Sequence, residues 1–318
     1  MRFSAASMNL SMHGRWRVVH NMADVLNIAH RGCRSLAPEN TLAAARKALE
    51  IGADMWELDV GVTADGELIV IHDDSLGRTT NVDTIFPDRT PWHFTTFTLS
   101  EIKQLDTASA FIQQDAFEQI AAGAVSADDL AAMEGEPIPT LREALRFTRD
   151  HNWRVNVEIK RIPPPMESFP VADKVVALIE ELDMGEQVII SSFVPLNLKR
   201  AKELNPAIKI AVLTEGQLSL SQHLTYGFDP FGEIPRLQYF SGDDPVRFLT
   251  ELGATTYHPN YLVVNRERIK ALQQAGIALN IWTVNDREHM KRLIEVGVNG
   301  IITDFPQVLA QLLSEYKA

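Results

Sequence analysis

The chain has 318 residues, 45% hydrophobic and 23% charged, with 17 glycines, 16 prolines and one cysteine, a composition that excludes disordered, collagen-like and disulfide-scaffold classes. Thirty Lys and Arg against 42 Asp and Glu leave a formal charge of −12. A broad electrostatic grip on nucleic acid or an anionic membrane is therefore not expected, and any bound phosphate has to be held locally.

Residues 1–24 contain no apolar run of signal-peptide length and read as an N-terminal extension, with a mis-called start as the equal alternative. No uncharged apolar stretch of spanning length follows anywhere, so stable membrane insertion is not expected. The lone Cys33 forms neither an internal disulfide nor a zinc cluster, which suits a cytoplasmic protein.

From residue 25 onward, short apolar runs of strand length alternate with helix-period segments. Strands are expected at 25–29, 55–60, 154–159, 187–191, 207–213, 254–257, 278–283 and 300–303. Helices are expected at 41–51, 140–150, 171–182, 196–204, 245–252, 266–274, 286–296 and 306–316. A ninth apolar run, 67–71, follows Asp65-Gly66, a strong hairpin signal. Taking those two residues as the loop pairs Ala64 with Glu67 and sets His72 opposite Asp59, so that Glu57, Asp59 and His72 share one face.

Eight βα units remain once that arm is set aside, which predicts an α/β fold of the closed (β/α)₈ type, a TIM barrel, with an open doubly wound sheet as the competing arrangement. The polar residues cluster as such a barrel requires, at carboxyl ends of strands: His30 and Arg31, Glu57 and Asp59, Glu158 and Lys160, and Trp282. Residues 75–136 break the rhythm and read as an insertion after the hairpin, within a single catalytic unit spanning 25–318. Residues 113–136 hold six acids (Asp115, Glu118, Asp128, Asp129, Glu134 and Glu136) and no Lys or Arg. They read either as a lid selecting a cationic headgroup or as a solvated surface.

The segments Ile28-Ala29-His30-Arg31-Gly32, Pro38-Glu39-Asn40-Thr41, Glu57-Leu58-Asp59-Val60 and Val70-Ile71-His72-Asp73 occur in that order. They continue through Leu76-Gly77-Arg78-Thr79-Thr80, Val157-Glu158-Ile159-Lys160, Ile281-Trp282-Thr283-Val284-Asn285 and Ile302-Thr303-Asp304-Phe305-Pro306. Together they resemble the glycerophosphodiester phosphodiesterase family across most of residues 28–306. The resemblance implies a barrel that hydrolyses small-molecule glycerophosphodiesters to glycerol 3-phosphate and an alcohol with the help of a divalent cation, Mg²⁺ or Ca²⁺. It implies His30 and His72 as the acid/base pair, Glu57, Asp59 and Glu158 as metal ligands, Arg31 and Lys160 as phosphate or substrate contacts, and Trp282 in the pocket lining. The neighbouring glycerol hydroxyl is the implied attacking group; the residues do not separate that route from direct attack by water.

The chemistry is coherent on its own terms. Three carboxylates without cysteine make an oxygen-only donor set suited to a hard cation. Two histidines, a residue type whose unperturbed pKa lies near neutrality, can take a proton from an attacking hydroxyl and return one to the departing alcohol. Glu39-Asn40-Thr41 reads as a helix cap or as a substrate contact, with Glu39 the binding candidate. Arg34, in a stretch where relatives often carry small residues, is either a second positive charge near the phosphate or a solvent-facing one. Of the remaining histidines, only His258 is expected near the mouth, and Cys33 is not expected to act as a nucleophile. A lysophospholipase D-type activity on lipid-bearing diesters and a non-catalytic phosphoester-binding barrel are the alternatives.

Overall fold

In the computed structural model, which describes residues 24–215 and 245–317, the strands are β1 (Leu26–Ala29), β2 (Met55–Val62), β3 (Leu68–Val70), β4 (Val155–Ile159), β5 (Val188–Ser192), β6 (Lys209–Thr214), β7 (Thr256–Pro259), β8 (Ala278–Ile281) and β9 (Gly300–Thr303). Eight of them run parallel in the cyclic order β1-β2-β4-β5-β6-β7-β8-β9, and β9 pairs back on β1 to close the barrel. The expected helices are all present within a residue of their predicted bounds, and the strands within two. Apart from Asp24, the N-terminal extension expected at 1–24 lies outside the described residues.

Strand alternation builds two concentric layers. On β2, Trp56, Leu58, Val60 and Val62 face outward into the main apolar core, together with Val155, Val157 and Ile159 of β4. Each fully buried side chain of this kind contributes roughly 1.5–3 kcal/mol relative to exposure. Met55, Ile28, Ile189, Ala211 and Ile302 form a separate cluster. Met55 shares the other face of β2 with Glu57 and Asp59, one and two steps nearer the carboxyl end.

The hairpin differs from its predicted register. Thr63 rather than Ala64 closes the loop, through Thr63 N–H to the Glu67 carbonyl at 3.0 Å, and Gly66 adopts φ 81°. The loop therefore has three residues with glycine in the left-handed position, a common alternative to the two-residue turn. Asp59 consequently lies opposite Ile71, whose N–H donates to the Asp59 carbonyl at 3.0 Å. A continued ladder would turn His72 to the wrong face, but β3 ends at Val70 and His72 escapes the alternation. Its charge still reaches the Asp59 carboxyl. The cause of the approach is strand length: β4 pairs with β2 only as far as Val60, whereas Gly61 and Val62 overshoot, and β3 returns the chain to the mouth.

After α1 (Leu42–Ile51), which follows β1, residues 75–136 carry short helices α2 (Val82–Ile85), α3 (Leu99–Ile102), α4 (Ala108–Gln114) and α5 (Ala127–Met133). They have their own apolar core, Leu76, Val82, Phe94, Phe97, Ile102 and Leu105 packed with Ile69 and Ile71 of the hairpin. Several of the acids at 113–136 have structural partners. Glu136 accepts from Ala43 N–H at 2.9 Å, in the first turn of the helix Leu42–Ile51, and pairs with Arg46. Asp129 caps α5 and meets Lys47 at 2.7 Å, and Asp115 accepts from Ile120 and Ala121 N–H.

Candidate active site

Three carboxylates meet at the mouth. Asp59 and Glu158 stand side by side in the register of β2 and β4, with Glu57 one step deeper. One oxygen from each lies within 4.8 Å of the others, and among the described residues no other such group gathers this closely. Glu57 and Asp59 are almost fully buried. Burial first, then repulsion by Asp59 and Glu158, raises the Glu57 carboxyl well above its ordinary range. Burial and Asp59 push Glu158 up to about 8. Burial also opposes ionisation of Asp59, but Lys160, Arg31 and His72 outweigh it and hold that carboxyl below the usual range.

Glu57 Oε1 is buried without a hydrogen-bond partner. A buried orphan acceptor inside a mutually repelling, oxygen-only donor set fits a hard divalent cation, which would relieve both defects. Two of the other oxygens are fixed by the protein: Glu57 Oε2 accepts from Arg31 N–H at 2.9 Å, and Asp59 Oδ2 from Asn40 Nδ2 at 2.9 Å.

Each predicted histidine is held by an aspartate. His30 follows β1, and its Nδ1 lies 2.6 Å from Asp304 Oδ1, leaving Nε2 turned toward Glu57 at 3.9 Å. Asn285 locks Asp304 from the other side, donating from Nδ2 at 2.7 Å and accepting the Asp304 N–H. His72 Nδ1 lies 2.7 Å from Asp73 Oδ1. In both rings the carboxylate favours a proton on Nδ1 and leaves Nε2 as the reactive nitrogen. Burial and then Arg31 lower the pKa of His30, against the pull of Asp304. Burial opposes ionisation of Asp304 and Asp73, yet each is held below the usual carboxylate range, chiefly by its histidine and a nearby arginine.

Those carboxylates join through arginines. Arg34 Nη1 is 3.6 Å from Asp304 Oδ1, and Arg34 Nη2 is 2.6 Å from Glu39 Oε2. Arg78 pairs with Asp73 through Nε at 2.5 Å and with Glu39 through Nη2 at 2.6 Å. Arg31 Nη1 completes the cluster on Glu39 at 2.9 Å. One carboxylate thus holds three guanidiniums, and a continuous charged chain runs from His30 to His72. Although burial opposes it, this surplus of positive charge holds the Glu39 carboxyl down at about 2. Arg31 is the converse case: burial disfavours its charge, while Asp59, Glu39 and Glu57 raise its pKa above the ordinary value.

The other candidates sort by geometry. The three-residue string divides its labour: Thr41 caps the following helix by accepting from Ala44 N–H at 3.1 Å, Asn40 orients Asp59, and both Glu39 oxygens are taken by arginines rather than left open to substrate. Lys160 Nζ stands 3.7 Å from Asp59 Oδ1. Trp282 lies partly exposed, edge-on to Phe193 at 5.4 Å between centroids, with its N–H donated to the His258 carbonyl at 2.7 Å. His258, expected at the mouth, is fully buried on β7 beside Asn280, and burial lowers its pKa to about 3. Arg34 is not a solvent-facing charge: besides its ion pairs, it lies over the Phe117 ring at 5.2 Å. The Cys33 thiol is buried and pushed up to about 12, mainly by desolvation, which removes it as a nucleophile.

Sequence reasoning did not single out Asp73, Asp304, Asn285 or Arg78, though all four lie inside the matched strings. The available signal was adjacency: Asp73 follows His72 directly, and Asp304 is the first residue beyond β9.

The His30-Arg31-Gly32 turn shows why the local sequence is needed. Arg31 and Gly32 both take positive φ, 54° and 78°, which aims Arg31 N–H at Glu57. A Cβ on Gly32 would meet Ala44 Cβ at 2.6 Å and the Ala44 carbonyl carbon at 2.7 Å. Gly32→Ala is therefore expected to destabilise the fold by about 2 kcal/mol or more, through left-handed strain plus overpacking. Urea unfolding of the two proteins checks this, and an unchanged midpoint would contradict it.

A family model described as the glycerophosphoryl diester phosphodiesterase family matches residues 30–308. A glycerophosphodiester phosphodiesterase of Caldanaerobacter subterraneus subsp. tengcongensis is 35% identical over 289 residues, covering 91% of this chain and 97% of that one. A protein of the same description from Bacillus altitudinis is 31% identical, covering 91% and 98%. Among solved structures, an Oleispira antarctica phosphodiesterase in complex with the product sn-glycerol-3-phosphate superposes with a TM-score of 0.64 at 24% identity, covering 91% of this chain and 96% of that one.

Proposed function

The chain belongs to the glycerophosphoryl diester phosphodiesterase family, and from that membership we propose that it hydrolyses glycerophosphodiesters to glycerol 3-phosphate and an alcohol, within a single barrel unit whose insertion, 75–136, walls one side of the site. The observation that carries the reading is the convergence of two aspartate-held histidines, a charged arginine and three close carboxylates at the barrel mouth.

Glu57, Asp59 and Glu158 would hold a divalent cation, Mg²⁺ or Ca²⁺. When bound, such an ion polarises a phosphoryl oxygen and offsets charge that grows in the transition state. Arg31, permanently charged, and Lys160, on the other side of Asp59, place the diester phosphate over the carboxylates. His30 and His72 divide the proton work. One Nε2 accepts the proton of the attacking hydroxyl, and the other imidazole, protonated, donates to the departing alkoxide. Asp304 and Asp73 fix the rings in the tautomer this requires and stabilise each imidazolium as it forms. Glu39 acts through Arg31, Arg34 and Arg78, and Trp282 borders the substrate pocket with Phe193. The buried Cys33 thiol fits a cytoplasmic setting for this chemistry.

The lysophospholipase D-type alternative requires a channel for an acyl chain. The cleft beside the site sets Arg34, Glu39 and Arg78 among Pro38, Ala110, Phe111 and Phe117, and an acyl chain there would have to desolvate those charges. The test is release of glycerol 3-phosphate from a panel of glycerophosphodiesters with different alcohols. Release is expected from members of the panel, and its absence from all of them would remove the proposed activity.

A further inference from the structure

Across Arg34 and Arg78 from the aspartate-held histidines lies an open cleft of about 410 Å³, with solvent-open space included, walled on one side by the 31–39 loop and on the other by α4 and the turn after it. Its apolar surface comes from Pro38, Phe111 and Phe117, and its charge from Arg34, Arg78 and Glu39. The single carboxylate is screened: Glu39 is 9% exposed and both its oxygens are taken by guanidiniums. None of the six acids at 113–136 lines this cleft, so the insertion presents it with aromatic rings and an amide while much of its negative charge is tied down elsewhere.

Arg34 keeps donors in reserve. Glu39 occupies Nη2 and Nε is buried, whereas Nη1 is 3.6 Å from the nearest Asp304 oxygen, beyond hydrogen-bond length. Arg34 Cζ lies over the Phe117 ring at 5.2 Å and so occupies the ring face that a quaternary ammonium would otherwise use. A cationic headgroup entering here meets two arginines, whereas an anionic one meets a guanidinium held in place with Nη1 left to donate.

We propose that this cleft is the subsite for the leaving alcohol and selects alcohols that carry an anionic group, with Arg34 as the specificity-determining residue. The proposal rests on the glycerophosphodiesterase reading, because the alcohol is the variable part of such substrates and the cleft adjoins the His30–Asp304 pair through Arg34. It reverses the charge preference expected from the acid-rich sequence of the insertion.

Glycerophosphoserine and glycerophosphoethanolamine, which differ only by a carboxylate, are the probes, assayed by glycerol 3-phosphate release. The native enzyme should favour the serine ester in kcat/KM. Arg34→Gln should shrink that ratio by roughly tenfold or more, even where contact with Asp304 makes it lower both rates. Gln114→Glu, an exposed change at the rim of the cleft, should shrink the ratio in the same direction by adding a like charge. Equal efficiency on the two esters, preference for ethanolamine, or a ratio unmoved in both variants would overturn the assignment of the cleft. Release from neither ester while another member of the panel is hydrolysed would overturn the assignment of the cleft, and release from no member would overturn the underlying activity, and the proposal with it.

Discussion

Replacing His72 by alanine is expected to cut kcat for glycerol 3-phosphate release by about 10²–10⁴-fold, the usual size of a general acid or base contribution, with little change in thermal stability. The side chain is 32% exposed and, among the described residues, its hydrogen-bond partner is Asp73 alone, so the fold loses one surface-facing hydrogen bond and the reaction loses a proton carrier. His30→Ala should cost as much in rate and more in stability, since it strips a buried partner from Asp304 and leaves that carboxylate to Arg34 and Asn285. The two losses should not multiply, because a site missing one proton carrier gains little from the other. Steady-state kinetics with circular dichroism separates chemistry from folding. A His72→Ala protein that is folded and within threefold of native activity would exclude the two-histidine mechanism.

Thorough chelation is expected to abolish activity, with recovery on adding Mg²⁺ or Ca²⁺ to the native protein but not to Glu57→Gln. The same carboxylates should write a signature into stability. Glu158 has an ordinary value of 4.5 and is pushed up to about 8 in the folded, metal-free protein. A carboxyl whose folded pKa is raised binds more protons when folded than when unfolded over that interval, so stability is full below the lower value and declines as pH rises through the upper one. Buried His258 and His30, whose pKa values are lowered on folding, act in the opposite sense up to about pH 6.5, so the melting temperature of chelated protein should fall between about pH 6.5 and pH 8. Added cation should flatten the fall, and Glu158→Gln should remove part of it. Full activity after chelation, or a chelated protein whose melting temperature rises across this range, would count against a metal site at these residues.

Much of this was legible from residue order. Glu57, Asp59 and Glu158 alternate with apolar neighbours at strand ends, and a barrel brings strand ends together whatever the intervening sequence. His72 was placed correctly for an incomplete reason. The two-residue turn predicts a register that the three-residue loop does not keep, and the early end of β3 rescues the outcome. The Glu39 cluster was not legible, because Arg31, Arg34 and Arg78 lie on two loops and no periodicity relates a loop arginine to a carboxylate 39 positions away. His258 shows the opposite limit. Its place near the end of β7 was right, but inward direction and complete burial depend on packing around the barrel, which local sequence does not encode.

The insertion's separate core has an evolutionary meaning. Leu76, Val82, Phe97, Ile102 and Leu105 pack on the hairpin rather than into the main barrel core, so substitutions among them should combine nearly additively with changes in the barrel, whereas Phe111, packed against the cluster that holds Ala43 and Ala44, and Phe117, packed on Arg34 and Phe305, should couple to it. Selection can then rework the interior of the insertion without renegotiating the stability of the catalytic scaffold, while the cleft that joins the two changes only together with its barrel partners.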